Sequence, residues 1–287
     1  MTTSTANWTL PGAAGETILG TTHWPSGAAR GVLIVCHGFK GYKDYGFLPH
    51  VADAAARHGL IAHRFNFSHS GMTEQIDTFE RPDLFEADTW SKQVTDLHTV
   101  AQAIERNAIA GSGLPCVWFG HSRGGVTVLL TAGEVFEGTA PDTPAPAAIV
   151  GAATPDYCVN LDEQQKAQLR AEGRVEIYSS RTGQTLAIGK PWLDEIEADP
   201  ERFDPVRAAE AVKCPMLFIH GDQDPTVPVE AADRLARAGA SHARRLIIEG
   251  AQHTFNAANP LPLEQTPPTE TGQMIEATCR FALEQME

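Results

Sequence analysis

Residues 117–125 read VWFGHSRGG, and the fold of the chain is decided by this stretch. An apolar run of strand character ends at Gly120, and Ser122 stands between Gly120 and Gly124. A strand that turns sharply into a helix strains the backbone of the turn residue and leaves room only for very small neighbours. The stretch therefore predicts that Ser122 projects from the carboxyl end of a buried strand. It would lie at the start of a helix whose free N–H groups and dipole favour negative charge.

Short apolar runs alternate with longer amphipathic segments on both sides of this stretch. Strands are predicted at 31–36, 60–67, 115–119, 147–153, 215–220 and 244–250. Helices are predicted at 46–59, in one long run from residue 85, after Ser122, at 229–239 and from about residue 270. Because the strands are nearly continuous apolar runs, the alternation predicts an α/β fold. Its mostly parallel central sheet would be flanked by helices on both faces.

One segment, 155–210, breaks this alternation because it is polar and rich in charged residues. Two strand-like runs, 174–180 and 184–189, flank Arg181-Thr182-Gly183 and predict a hairpin. We therefore expect a single domain over 1–287 with a lid insertion at 155–210. The aromatic residues of the insertion either hold it down or form a wall for a substrate, and the sequence favours neither use. They are Tyr157, Tyr178, Trp192 and Phe203.

A serine becomes a strong nucleophile only with a base, and that base needs a carboxylate to orient it. After a strand–serine–helix turn of this kind, the acid and then the histidine are expected at later strand ends. The loop HGDQDPTVP at 220–228 supplies Asp222 and Asp224, and EGAQHTF at 249–255 supplies His253. If the sheet is parallel, these loops lie at the same sheet edge as Ser122.

Acyl transfer places negative charge on a carbonyl oxygen, which needs hydrogen-bond donors. The backbone N–H of Arg123, at the start of the helix, is one candidate. The loop CHGFKG at 36–41 offers a second, the N–H of Phe39, because Gly38 lets the backbone bend towards a substrate. We interpret His37 as a structural residue that bonds below this loop.

With these motifs the chain resembles the α/β-hydrolase superfamily from about Gly31 to its C-terminus, through HGF, GHSRGG, GDQDPTVP and GAQHTF. Within the superfamily it is most similar to the dienelactone hydrolase and feruloyl (cinnamoyl) esterase branch. The resemblance implies Ser122 as nucleophile, Asp224 rather than Asp222 as acid, and His253 as base. It implies Phe39 and Arg123 as oxyanion donors and no cofactor. Dienelactone hydrolases use cysteine as nucleophile, so the serine here argues against that activity.

Arg123 stands where many esterases of this branch carry glutamine. Its side chain would either bond carboxylates of the insertion or stiffen the oxyanion loop, and the sequence leaves both open. Trp192, Tyr157 and Tyr178 are the predicted substrate contacts.

The expected activity is hydrolysis of carboxylic esters through an acyl-enzyme, with a small-molecule ester as partner and a feruloyl-type ester as leading candidate. Acylaminoacyl-peptidase or thioesterase activity on the same triad is the alternative. A non-catalytic ligand-binding protein on the same fold ranks below both, because no triad member is missing.

Composition excludes several other classes. The net charge of −14 and the lack of a Lys/Arg cluster argue against a nucleic-acid partner. The first residues show no signal peptide, and no apolar run is long enough to span a bilayer. Five scattered cysteines predict reduced thiols in a cytoplasmic protein, without a disulfide framework. The histidines are spread over different elements and no HExxH occurs, so a metal site is not expected. Nothing in the chain predicts its oligomeric state.

Overall fold

The computed structural model describes residues 3–286 and contains an eight-stranded mixed sheet. In chain order its strands are β1 Ser4–Pro11, β2 Thr17–Trp24, β3 Gly31–Cys36, β4 Leu60–Asn66, β5 Cys116–His121, β6 Ala148–Ala152, β9 Met216–Gly221 and β10 Ala243–Ile248. Strands β7 Arg174–Ser179 and β8 Gln184–Gly189 form a separate antiparallel hairpin. Across the large sheet the order is β1-β2-β4-β3-β5-β6-β9-β10.

Strands β4, β3, β5, β6, β9 and β10 run parallel to one another, whereas β2 pairs antiparallel with β4 and β1 pairs antiparallel with β2 at the edge. The carboxyl ends of β5, β9 and β10 therefore reach the same edge. This register brings the loops after β9 and β10 beside the loop after β5, although Ser122 and His253 lie 131 residues apart in the chain. The predicted fold class, with a mostly parallel sheet, is confirmed.

Nine α-helices are formed by the described residues. They are α1 Leu48–Arg57, α2 Pro82–Glu86, α3 Trp90–Glu105, α4 Arg123–Glu137, α5 Glu163–Glu172, α6 Lys190–Ala198, α7 Pro205–Ala211, α8 Glu230–Ala238 and α9 Thr269–Glu284. Side chains of β3 alternate between two cores: Val32 and Ile34 pack with α3, α4 and α8, while Leu33 and Val35 pack with α1 and α9. The period of two along the strand explains why both faces are covered.

The structure corrects one predicted helix and adds two strands. The long helix predicted from residue 85 is wrong: α2 and α3 are separate, because Thr89 is extended and its side chain accepts from the N–H of Lys92, which caps α3. Strands β1 and β2 were not predicted. Their sequences, STANWTLP and TILGTTHW, contain no long apolar run, and they pair at the sheet edge.

The segment 155–210 contains α5, the hairpin, α6 and α7. The predicted hairpin is present, with Ser179 opposite Gln184. Its turn is held by Arg181, whose guanidinium lies 4.8 Å from the ring of Tyr42 and 5.0 Å from that of Phe79. The segment is thus fastened at the hairpin turn. Its role as a lid stays a prediction, as does the single domain over 1–287, of which residues 1, 2 and 287 lie outside the described part.

Candidate active site

Ser122 lies at a sharp turn between β5 and α4, with φ 53° and ψ −123°. A non-glycine residue in this region is strained, at a cost of about 1–3 kcal/mol that the surrounding fold must supply. The two glycines are required by space: a Cβ on Gly120 would lie 2.3 Å from the carbonyl oxygen of Gly124, and one on Gly124 would lie 2.5 Å from that of His37. The predicted reason for the glycines therefore agrees with the packing.

The structure brings Ser122, His253 and Asp224 into one hydrogen-bonded chain. Nε2 of His253 lies 3.0 Å from Oγ of Ser122, and Nδ1 of the same ring lies 2.8 Å from Oδ2 of Asp224. His253 follows β10 and Asp224 follows β9, so the parallel register places both beside the carboxyl end of β5. This is the geometry in which a histidine can take a proton from a serine.

Asp224 is held as a carboxylate by its surroundings. Its side chain is fully buried, and burial alone would raise its pKa. Hydrogen bonds from His220 and His253 outweigh that effect, so the pKa of Asp224 lies well below its ordinary value. Its Oδ1 also accepts from the backbone N–H groups of Thr226 and Val227, at 2.8 and 3.0 Å. The carboxylate is therefore charged and fixed in orientation.

Asp222, the other acidic candidate in this loop, points elsewhere. Its Oδ1 accepts from the backbone N–H of Gly250 at 2.7 Å and ties the loop after β9 to the loop after β10. Of the two carboxylates, Asp224 is therefore the one that contacts His253.

His121 was not singled out from the sequence. Its Nε2 donates to the carbonyl oxygen of His253 at 2.9 Å, and the two rings lie 5.1 Å apart. Burial lowers the pKa of His121 to about 3, so the ring is neutral and one nitrogen can donate while the other stays bare. His121, between Gly120 and Ser122, therefore fixes the main chain at His253 through this hydrogen bond. Its position inside the G-x-S-x-G pattern was the only available signal.

The loop after β3 lies against the turn that carries Ser122. A Cβ on Gly38 would lie 3.1 Å from the Cβ of Ser122. His37 is bonded below the loop, since Nδ1 donates to the carbonyl oxygen of Gly38 at 2.8 Å and Nε2 accepts from the N–H of Phe67 at 3.2 Å. Within residues 3–286, the backbone N–H groups of Phe39 and Arg123 donate to no other backbone group. Both remain available to an oxyanion.

A cavity of about 410 Å³ opens beside Ser122 and His253. Of the predicted substrate contacts, Trp192 and Tyr157 line this cavity. Tyr178 does not line the cavity, and this residue is 64% exposed. Phe203 is buried in the core, away from the lining. The apolar side chains of the wall include Phe39, Trp90, Pro155, Leu161, Ile177, Ile188, Trp192 and Val227.

The Arg123 side chain also lines the cavity and is buried. Its Nη2 lies 3.1 Å from Oδ2 of Asp88, in the short link between α2 and α3. The ion-pair partner thus comes from outside the segment 155–210, contrary to one of the two expectations for this residue. The guanidinium also lies 5.3 Å from the ring of Phe39, on the oxyanion loop.

A family model described as the alpha/beta hydrolase family matches residues 33–266. The chain belongs to this family. The match covers most of the chain and includes Ser122, Asp224 and His253. The predicted superfamily is confirmed, and no curated protein sequence matches the chain.

Several solved structures share the fold of this chain. An esterase from Butyrivibrio proteoclasticus with ferulic acid bound has a TM-score of 0.71 and 17% identity, over 96% of this chain and 98% of that one. A putative hydrolase from Agrobacterium vitis has a TM-score of 0.71 and 18% identity, with both chains fully covered. A dienelactone hydrolase from Anabaena variabilis has a TM-score of 0.63 and 16% identity, over 99% of each chain. At these identities the likeness concerns the fold.

Three further observations concern membrane-spanning helices, metal ligands and cysteines. In the described part of the chain, no helix combines the length and apolar character needed to cross a membrane. The same residues contain no group of three His, Cys, Asp or Glu side chains arranged to hold a metal ion. All five cysteines are free thiols, and Cys116 is the one that is only partly buried.

Proposed function

We propose that this protein is a serine hydrolase that cleaves carboxylic esters through an acyl-enzyme. The observation that carries the proposal is the hydrogen-bonded chain from Asp224 through His253 to Ser122. Ser122, at the end of this chain of hydrogen bonds, lies on a strained turn at the N-terminus of α4, beside a cavity. A base within 3.0 Å of a serine hydroxyl, itself oriented by a buried carboxylate, is the arrangement that activates this nucleophile.

In the first half of the reaction, Nε2 of His253 takes the proton of Ser122, whose Oγ attacks the ester carbonyl carbon. The backbone N–H groups of Phe39 and Arg123 stabilise the oxyanion. The tetrahedral intermediate then collapses, the carbon–oxygen bond to the alcohol breaks, and the alcohol leaves with the proton from Nε2. The acyl group remains on Ser122.

In the second half, a water molecule gives a proton to Nε2 of His253 and attacks the acyl carbon. The bond to Oγ breaks, Ser122 regains its proton, and the acid is released. Throughout, Asp224 keeps the His253 ring in the tautomer whose Nε2 faces Ser122 and stabilises the imidazolium that forms.

We propose that the cavity binds the acyl part of the ester. Its size and its aromatic wall suit an aryl or medium-length alkyl group. The similarity to an esterase with bound ferulic acid adds a feruloyl ester to the candidates. The segment 155–210 contributes Tyr157 and Trp192 to the wall, which is the role that we propose for it as a lid.

The direct test compares wild type with Ser122→Ala in hydrolysis of p-nitrophenyl acetate and butyrate. We expect a loss on the order of 10³–10⁶ in kcat. A fluorophosphonate probe should label wild type and leave Ser122→Ala unlabelled. Ser70→Ala, in the loop FSHSG at 67–71 after β4, is the control and should be labelled like wild type. Undiminished turnover by Ser122→Ala would refute the mechanism.

A second panel separates ester hydrolysis from the alternatives on the same triad. It contains methyl ferulate, an acyl thioester and an acylated peptide anilide, each compared with p-nitrophenyl butyrate. We expect the carboxylic esters to have the higher kcat/KM. A higher kcat/KM for the anilide would indicate a peptidase, and a higher kcat/KM for the thioester would indicate a thioesterase. Binding of these compounds without Ser122-dependent turnover would favour a ligand-binding protein.

A further inference from the structure

The cavity wall contains a buried guanidinium beside the nucleophile. Arg123 is only 8% exposed, yet it lines the same cavity as Ser122 and His253. Removing a charged group from water is costly unless the group is paired and its hydrogen bonds are made. The partners of Arg123 are therefore informative about what the cavity holds.

The protein provides only part of the pairing and hydrogen bonding that this guanidinium needs. Asp88 approaches one edge, with Oδ2 3.1 Å from Nη2, and the face of Trp90 lies 4.5 Å from the guanidinium carbon. The contact with Asp88 is an ion pair without hydrogen-bond geometry, so Nε and Nη2 of Arg123 have no hydrogen-bond partner among the described residues. Burial lowers the pKa of Arg123 and raises that of Asp88 to about 6, so this pair leaves the charge incompletely stabilised.

A second donor without a partner lies in the same wall. Trp192 is 5% exposed and lines the cavity, and its Nε1 finds no acceptor in the described part of the protein. Its ring lies 5.9 Å from the guanidinium of Arg123. Buried polar groups are nearly always hydrogen-bonded, so two such donors in one wall are consistent with an acceptor supplied from outside the chain, either water or a ligand.

The charges of the residues that line the cavity also favour an acceptor from outside the chain. The chain has a net charge of −14, yet no Asp or Glu occurs among the described residues that line the cavity. Its charged lining residues are Arg123 and, near the oxyanion loop, Lys40. A cavity wall with two cations in so acidic a protein favours a negatively charged ligand.

We propose that Arg123 and Trp192 bind a carboxylate carried by the acyl group, so that the preferred substrates are monoesters of dicarboxylic acids. The inference rests on the proposed function, because it assigns the acyl group to this cavity. The acyl group stays attached to Ser122 after the alcohol has left, so a contact to it is maintained through both halves of the reaction. A guanidinium suits a carboxylate because its planar N–H groups match the two oxygens.

The experiment uses two matched pairs of methyl esters, assayed by acid release in a pH-stat. Monomethyl glutarate is compared with methyl valerate, and monomethyl terephthalate with methyl 4-methylbenzoate. For each enzyme the readout is the kcat/KM of the charged ester divided by that of the neutral one. This ratio corrects for any general change in activity, which matters because the N–H of Arg123 also serves the oxyanion.

Wild type should favour the charged ester in at least one pair, and Arg123→Met should lower that ratio by about 10- to 100-fold, as expected for a lost hydrogen-bonded charge pair. Trp192→Phe keeps the ring and removes only the N–H, so it should lower the ratio by less. Should Arg123→Met not fold, the Trp192 variant still decides the question. Arg170→Met, at an exposed ion pair with Glu197, is the control and should leave the ratio unchanged.

A binding measurement separates failure of this inference from failure of the proposed function. In Ser122→Ala, quenching of tryptophan fluorescence by glutarate should be tighter than by valerate, and the added Arg123→Met should remove the difference. Ser122-dependent turnover with ratios at or below one that neither variant changes would overturn the inference and leave the esterase proposal standing. Tight, Arg123-dependent glutarate binding without turnover of any ester would support the carboxylate site and reject the esterase.

Discussion

Replacing Asp224 with Asn should lower kcat for p-nitrophenyl butyrate by about 10⁴-fold, through the tautomer of His253. Oδ1 of Asp224 accepts from two backbone N–H groups, which fixes the orientation of the side chain. In Asp224→Asn that oxygen can stay in place, and an NH₂ group then replaces Oδ2, 2.8 Å from Nδ1 of His253. Since an NH₂ group only donates, Nδ1 must become the acceptor, and the ring proton moves to Nε2.

The proton would then lie on the atom that faces Oγ of Ser122 at 3.0 Å, where the base must be bare. The triad distances are kept and the base is lost. A 10⁴-fold loss corresponds to about 5 kcal/mol of transition-state stabilisation. The hydrogen bond from His220 to Oδ2 is lost as well, so the free energy of unfolding should fall by about 1–3 kcal/mol.

The assay measures initial rates of p-nitrophenyl butyrate hydrolysis and urea unfolding for Asp224→Asn and for Asp222→Asn. Asp222→Asn is the matched control, because asparagine retains the oxygen that accepts from the N–H of Gly250. We expect its kcat to stay within about twofold of wild type, as for a change away from the reacting groups. The reasoning is refuted if Asp224→Asn keeps more than a tenth of the activity while folded, or if both variants lose the same amount.

Three further outcomes follow from contacts in the same region and from the fold. His121→Phe removes the donor to the carbonyl oxygen of His253, so we expect the free energy of unfolding to fall by about 1–3 kcal/mol and kcat to fall as well. An unchanged kcat would mean that this contact does not position the base. Gly124→Ala forces a methyl group to within 2.5 Å of a main-chain oxygen and should cost about 1–3 kcal/mol with loss of activity. Gly272→Ala, in α9 with open space around it, should instead stabilise by roughly 0.5–1 kcal/mol, and thermal unfolding of both variants checks the opposite signs. Burial raises the pKa of Asp88 to about 6, so the folded state retains this proton where the unfolded chain has lost it. The contribution of Asp88 to the free energy of unfolding should therefore decline as pH rises from about 4 to about 6. Urea titrations at several pH values should show that the free energy of unfolding of wild type, relative to that of Asp88→Asn, falls over this range, and parallel curves would contradict the assignment.

The local pattern of apolar and polar residues was sufficient to predict much of the fold. Strands such as 31–36 are continuous apolar runs because helices cover both faces of the sheet, and such runs are visible without any tertiary information. The edge strands β1 and β2 escaped prediction because their polar residues carry no apolar run. The break between α2 and α3 escaped it because helical spacing continues across the extended residue Thr89.

The chain by itself determined which side chains could form the candidate site. The glycines around Ser122 are required by backbone contacts within a short stretch, and the order serine, acid, histidine follows the order of the strands. Asp224 and His253 could therefore be proposed from their places after predicted strands. These inferences depend on local sterics and on strand order, both of which the sequence carries directly.

Only the tertiary structure decided how those side chains meet and what surrounds them. The parallel register brings Ser122, Asp224 and His253 within hydrogen-bonding distance, and it turns Asp222 towards Gly250 instead. The pairing of Arg123 with Asp88 and the absence of carboxylates from the described lining of the cavity likewise join residues that are distant in sequence. Contacts of this kind depend on packing between separate elements, and spacing along the chain does not encode them.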